Sequence, residues 1–272
     1  MPTAQTNGAR IFYEDQGTGA ETIFFAHGLL WSSAMWQFQI EAFKTRYRCI
    51  ALDFRGQGKS EITASGYDME TLALDAAALI EKLGCAPVHY VGLSMGGFVG
   101  MRLAARRPEL LRSLTLVDTA ADGEPRANVF KYQLLGQVAR FLGIRLLVGK
   151  VMRIMFARPF LDDPRRAVLG AEVKRLLIAN DVTGMRRALA GVIFRAPVEG
   201  ELGNIRAPTL VLSGELDSAV APARSRRTAE QIAGAQFKLI PRAGHSSSFE
   251  EPEELNRLLE LFLDSNRVRP TI

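Results

Sequence analysis

Short apolar runs alternate with stretches of helical periodicity over most of the chain. Residues 22–26, 49–54, 88–91 and 209–213 are nearly unbroken apolar runs, and 111–118 and 236–240 are shorter-grained apolar stretches read as further strands. Residues 33–47, 68–83, 97–106, 221–232 and 252–263 repeat apolar positions at helical spacing. A strand buried on both faces reads as a run rather than as strict alternation, so this rhythm predicts a mostly parallel central sheet with helices on both faces. Residues 9–14 do alternate, and predict an antiparallel strand near an edge. The rhythm breaks between 120 and 200, where helix-like stretches are punctuated by Pro125, Pro159, Pro164 and Pro197 and no strand is legible. The chain therefore divides into an α/β core, residues 1–119 and 201–272, and a helical insertion, residues 120–200. The tail 267–272 reads as loosely held.

A chain of 272 residues suffices for one large domain with such an insertion. Its start is polar and carries no secretory apolar region. No apolar run is long enough to span a membrane, because the greasy stretch 134–151 is broken by Arg140, Arg145 and Lys150. Two cysteines, Cys49 and Cys85, lack metal-ligand spacing and read as reduced thiols of a cytoplasmic protein. The net charge of +5 is uneven: residues 120–200 hold 14 Lys or Arg against 7 Asp or Glu. Apolar residues are interleaved with these charges and stacking aromatics are sparse. They read as solvated helix faces, with neither a nucleic-acid nor a membrane partner expected. The same excess predicts some attraction for an anionic substrate.

The chemistry begins at Gly92-Leu93-Ser94-Met95-Gly96-Gly97. This G-x-S-x-G stretch lies between a strand and a helix, the setting in which the serine of a nucleophile elbow sits in a strained, exposed turn among small neighbours. The helix starting beside it favours developing negative charge.

A serine hydroxyl needs a neighbouring base. Of three histidines, His89 lies inside a strand and His27 at a strand end, where it suits turn orientation. His245 follows a strand within Pro241-Arg242-Ala243-Gly244-His245, at the sheet edge where ligands gather in open α/β folds. Asp217, in the strand-end loop Gly214-Glu215-Leu216-Asp217, is favoured as the acid that orients the imidazole; Asp118 is its rival, since both satisfy the order Ser, Asp, His. Backbone N–H groups of Met95 and Leu29 are the expected oxyanion donors. Trp31 and Trp36 are candidates for the substrate pocket, with core packing the competing reading. No metal or organic cofactor is expected.

His27-Gly28, residues 53–60, Gly92–Gly97 and Gly244-His245, in this order, resemble the marks of the α/β-hydrolase superfamily, in its compact cap-bearing branch. The resemblance implies an eight-stranded sheet, the insertion as a cap over the site, and Ser94, Asp217 and His245 as nucleophile, acid and base. Asp53 and Arg55 then read as structural. Gly-Leu-Ser-Met-Gly-Gly and Gly-His-Ser-Ser-Ser-Phe-Glu-Glu-Pro are similar to the motifs of 3-oxoadipate enol-lactonase-like and cofactor-free haloperoxidase-like esterases. This implies a serine hydrolase acting on a small carboxylic ester or lactone through an acyl-enzyme. Carbon–carbon bond hydrolysis or perhydrolysis on the same triad is the alternative, and a small-molecule receptor on the same scaffold is the alternative of another class.

Overall fold

The computed structural model describes residues 2–267. The tail read as loosely held lies outside the described residues beyond Arg267.

Eight strands form one sheet: β1 (Thr3–Thr6), β2 (Ala9–Gln16), β3 (Thr22–Ala26), β4 (Arg48–Leu52), β5 (Val88–Leu93), β6 (Leu111–Val117), β7 (Thr209–Gly214) and β8 (Gln236–Ile240). Their spatial order is β1-β2-β4-β3-β5-β6-β7-β8. β1 and β2 pair antiparallel with each other, β2 pairs antiparallel with β4, and the remaining pairs are parallel. The first strand was not legible as one. Thr3–Thr6 is short and polar, yet Asn7 (φ 44°) and Gly8 (φ 76°) form the tight turn that folds it onto β2.

The helices of the core are α1 (Gln37–Phe43), α2 (Met69–Lys82) and α3 (Met95–Arg106). The segment between β6 and β7 carries α4 (Arg126–Leu142), α5 (Val148–Met155), α6 (Arg158–Leu161), α7 (Ala167–Ile178) and α8 (Val182–Ile193), with no strand among its described residues. After β7 come α9 (Pro222–Glu230), α10 (Ser247–Glu250) and α11 (Pro252–Ser265). The helical stretch read over 33–47 is shorter in fact: a 3₁₀ turn at Ser33–Trp36 leads into α1, which stops at Phe43. Asp68 caps α2 by accepting the Thr71 N–H at 2.8 Å.

Each parallel strand feeds two apolar layers. Phe24 and Ala26 of β3 face the layer made with Leu72 and Leu79 of α2 and Phe98 and Val99 of α3, whereas Ile23 and Phe25 face Ile40 and Phe43 of α1 and Leu259 and Phe262 of α11. The two-residue period of a strand sends successive side chains to opposite layers, so an unbroken apolar run is what a sheet covered on both faces requires. Functional side chains are then left to the loops at the C-terminal strand ends. Among the described residues, no helix is long and apolar enough to cross a membrane.

Candidate active site

Ser94 joins β5 to α3 with φ 51° and ψ −110°, a strained backbone that turns its side chain away from the sheet. The bend is over-determined. Ser94 N–H donates to the Val117 carbonyl at 2.9 Å, and the Ser94 carbonyl accepts from Phe98 N–H and Thr119 Oγ. A Cβ on Gly96 would collide with the Ala26 carbonyl oxygen at the end of β3, so the elbow needs a small residue there.

His245 Nε2 lies 3.0 Å from Ser94 Oγ, and His245 Nδ1 lies 2.8 Å from Asp217 Oδ2. The other Asp217 oxygen accepts the N–H groups of Ala219 and Val220 at 2.8 and 2.9 Å. The three groups come from the ends of β5, β7 and β8 and are joined in one hydrogen-bonded line. Burial presses the His245 pKa down, but the charge and hydrogen bond of Asp217, with the carboxyls of Asp118 and Glu250 beyond it, raise it to about 9.

Asp118 makes no bond to His245. It accepts Gly214 N–H at 2.6 Å and the Ser247 hydroxyl at 2.6 Å, and burial together with the Asp217 charge pushes its pKa up to about 8. Glu250 supports the base loop from the other side, accepting Ser246 N–H at 3.1 Å and Ala157 N–H at 2.8 Å; its burial raises its pKa to about 7.

The N–H groups of Leu29 and Met95 have no hydrogen-bond partner among the described residues. Gly28 brings the first of them close to the serine, since a Cβ built there would stand 3.5 Å from Ser94 Cβ. The loop is tied down by His27, whose Nδ1 donates to the Gly28 carbonyl and whose Nε2 accepts Phe54 N–H at 2.9 Å. Burial lowers the His27 pKa, which favours the neutral ring those two bonds require. Gln57 adds a bond the sequence did not single out, its Oε1 accepting Leu30 N–H at 2.7 Å. Asp53 and Arg55 lie within the turns, Asp53 accepting from Ser33 and Lys59 N–H and Arg55 paired with buried Asp75.

Ser94 and His245 open onto a cavity of about 130 Å³. Leu29 and Leu30 line one side, and Tyr132, Leu135, Gly136 and Ala139 of α4 part of the other. Trp31 and Trp36 are absent from this wall, which corrects their reading as pocket residues. Both are packed in the core, Trp31 on Phe249 at 4.9 Å between ring centroids and Trp36 on Phe25 at 5.1 Å. The basic excess of the insertion also stays away from the cavity, whose lining holds no Lys or Arg. The wall also holds the carboxylate of Glu124, held by Arg195 at 2.9 Å and Asn128 at 2.8 Å.

An eight-stranded sheet in this order, with an elbow serine facing a buried histidine, defines a class of hydrolytic enzymes. The model of the alpha/beta hydrolase fold family matches residues 21–252, and this chain belongs to that family and is an enzyme of it. It is 32% identical over 94% of its length to a Mycobacterium tuberculosis protein provisionally named non-heme bromoperoxidase BpoC, covering 98% of that protein. It is 28% identical to 3-oxoadipate enol-lactonase 2 of Acinetobacter baylyi, with 88% of this chain and 86% of that one covered. The crystal structure of the enol-lactonase from Burkholderia xenovorans superposes with a TM-score of 0.89 at 30% identity, covering 97% of this chain and all of that one.

Proposed function

We propose that this hydrolase cleaves a small, uncharged carboxylic ester or lactone through an acyl-enzyme formed on Ser94. The observation that carries the reading is the hydrogen-bonded line Ser94 Oγ–His245 Nε2 at 3.0 Å and His245 Nδ1–Asp217 Oδ2 at 2.8 Å. In the first half-reaction Ser94 Oγ attacks the carbonyl carbon while its proton passes to His245 Nε2. The carbonyl oxygen becomes an oxyanion that receives the N–H groups of Met95 and Leu29. Collapse breaks the bond to the leaving oxygen, which takes the proton from His245. Water then attacks the acyl carbon, gives its proton to the same nitrogen, and the acid leaves as Ser94 regains its hydrogen. Asp217 orients the ring and stabilises its charged form throughout.

Residues 120–200 act as a cap that shapes the acyl site. Its inner wall of Leu135, Ala139, Ile144, Leu147 and Val151 favours an apolar acyl group. A carboxylate on that group would meet Glu124 and, apart from the His245 ring itself, no lining cation, so burying it there is costly. The neutral class is therefore preferred to an anionic lactone. The reading is tested by incubating the protein with p-nitrophenyl butyrate and trapping the acyl-enzyme by acid quench. A mass increase of one butyryl group on the peptide bearing Ser94 is expected. Turnover without that adduct, or an adduct at another residue, would overturn it.

A further inference from the structure

Helix α4 has two apolar faces. Its inner one, Tyr132, Leu135, Gly136 and Ala139, lines the cavity. On the opposite side, Phe130, Leu134 and Phe141 are 72%, 56% and 75% exposed. At about 100° per residue these three fall within an arc of about 40°. Leu142 and Leu146 extend the exposed apolar surface past the end of the helix.

Along this segment the charge has one sign. Between Glu124 and Asp162 the chain holds seven Lys or Arg and no acidic residue, and all seven, from Arg126 to Arg158, are exposed. Arg126 and Arg140 flank the apolar arc on one side of α4 and Lys131 on the other. Elsewhere on the protein exposed arginines are commonly tied to carboxylates, as Arg46 is to Glu260 and Arg107 to Glu81. Solvation alone explains the cations and leaves the exposed phenyl rings without a reason. A helix with bulky apolar residues on one face, bordered by Lys and Arg, matches the boundary between anionic headgroups and acyl chains.

We propose that the outer face of α4, with the turn through Leu146, docks on an anionic lipid surface. The rings of Phe130 and Phe141 and the side chain of Leu134 enter the acyl boundary, and Arg126, Lys131, Arg140 and Arg145 lie at the headgroups. This revises the expectation, drawn from the sequence, of no membrane partner. Two other occupants fit less well. A second copy of the chain related by a twofold axis would set these cations against the same cations, a repulsive arrangement. A nucleic acid would satisfy the charge and leave aliphatic Leu134, Leu142 and Leu146 without a matching surface. Docking stands independently of the acyl-enzyme reading, but it places the cavity wall one helix thickness from the lipid, an arrangement suited to collecting apolar esters.

The test is co-sedimentation of the full chain with vesicles of phosphatidylcholine containing phosphatidylglycerol, compared with phosphatidylcholine alone. At about 0.1 M salt the protein is expected to partition onto the anionic vesicles and to be largely released at about 1 M. Each Lys or Arg near such a surface raises partitioning about fivefold, so the K131Q/R140Q/R145Q variant should bind on the order of a hundredfold more weakly. F130S/L134S/F141S should lose at least about tenfold, since the inserted apolar area is removed. Both variants should keep the wild-type unfolding midpoint and hydrolysis of soluble p-nitrophenyl butyrate, because none of the six residues lines the cavity. Absence of anionic-vesicle binding overturns the proposal, as does binding that the serine variant leaves unchanged. A solution dimer abolished by the same variant, without vesicle binding, would assign the face to a second copy, and tighter retention on DNA than on vesicles would assign it to nucleic acid. If the wild type binds vesicles but hydrolyses no ester, the hydrolytic reading fails and the docking remains.

Discussion

The Ser247 hydroxyl donates to Asp118 at 2.6 Å, while the other oxygen of Asp118 holds the N–H of Gly214. One buried carboxyl thus fastens the end of β7, from which Asp217 projects, to the loop that carries His245. Asp118 reaches neither ring nitrogen of His245; Asp217 does. The two acids therefore differ in what they touch, Asp217 the ring of His245 and Asp118 the loops on either side of it.

Asp217→Asn should therefore lower kcat/KM far more than Asp118→Asn. Loss of the orienting carboxylate costs about ten-thousandfold in triads of this kind. Asn at 118 keeps an acceptor for Gly214 N–H and an amide donor for Ser247 Oγ, so a loss below about tenfold is expected. Steady-state rates of the two variants on one ester decide the matter, and a reversed order would transfer the orienting role to Asp118.

Ser94→Ala should abolish turnover, with a loss on the order of a millionfold, while the fold persists. Oγ makes no capping hydrogen bond to α3, and the elbow is held by backbone bonds of Ser94 and the hydroxyl of Thr119. A fluorophosphonate should label the wild type stoichiometrically and leave the variant unmodified. Labelling of the alanine protein would point to another nucleophile.

The rate should depend on pH through His245, which accepts a proton only when neutral. Because Asp217 favours the charged ring, its pKa lies above the ordinary 6.5, raised to about 9. Log kcat/KM should accordingly rise with pH across the neutral range and level off only at alkaline pH. Asp217→Asn should move the inflection downward, besides lowering the plateau. A profile already flat above about pH 6.5 would contradict the raised pKa.

Stability should respond to Asp118 in a different window. Its pKa is raised from 3.8 to about 8, so the folded state holds this proton where the unfolded chain has released it. The contribution is complete below about pH 4 and is lost as pH rises through about 8. Between pH 5 and 8 the Tm of the wild type should fall relative to that of Asp118→Asn, which has no proton to lose at this position. Parallel Tm curves for the two proteins across that range would show that Asp118 titrates normally.

Substrate charge should matter more than the basic insertion implies. A p-nitrophenyl hexanoate is expected to exceed an ester of the same length ending in a carboxylate by at least about tenfold in kcat/KM. The anionic end would be desolvated in a wall that offers Glu124 and no Lys or Arg. Equal rates, or a preference for the anionic ester, would place its charged end outside the cavity.

Most of the architecture was legible because it follows from local rules. Runs such as Thr22–Ala26 and Thr209–Ser213 fall on the strands observed, and the break in rhythm after β6 marks where the helices α4 to α8 begin. The serine could be read as well, since an elbow compresses its requirements into six adjacent residues. Elimination among three histidines pointed to His245, and the ring lies 3.0 Å from Ser94 Oγ. Thr3–Thr6 escaped because a short polar edge strand is defined by its partner, although Asn7-Gly8 carried the turn signal.

Residue types and their order along the chain determined the sheet, the helical insertion and the strained serine turn between β5 and α3. Only the tertiary structure shows that Asp217, and not Asp118, bonds His245, because both end strands and a 2.8 Å hydrogen bond across 28 residues leaves no trace in local pattern. It alone moved Trp31 and Trp36 from the pocket to the core and brought Gln57, Ser247 and Glu250 to the supporting bonds. It also turned the basic side of α4 outward. A helical pattern states which residues share a face, whereas which face meets the cavity is settled by packing against the rest of the molecule.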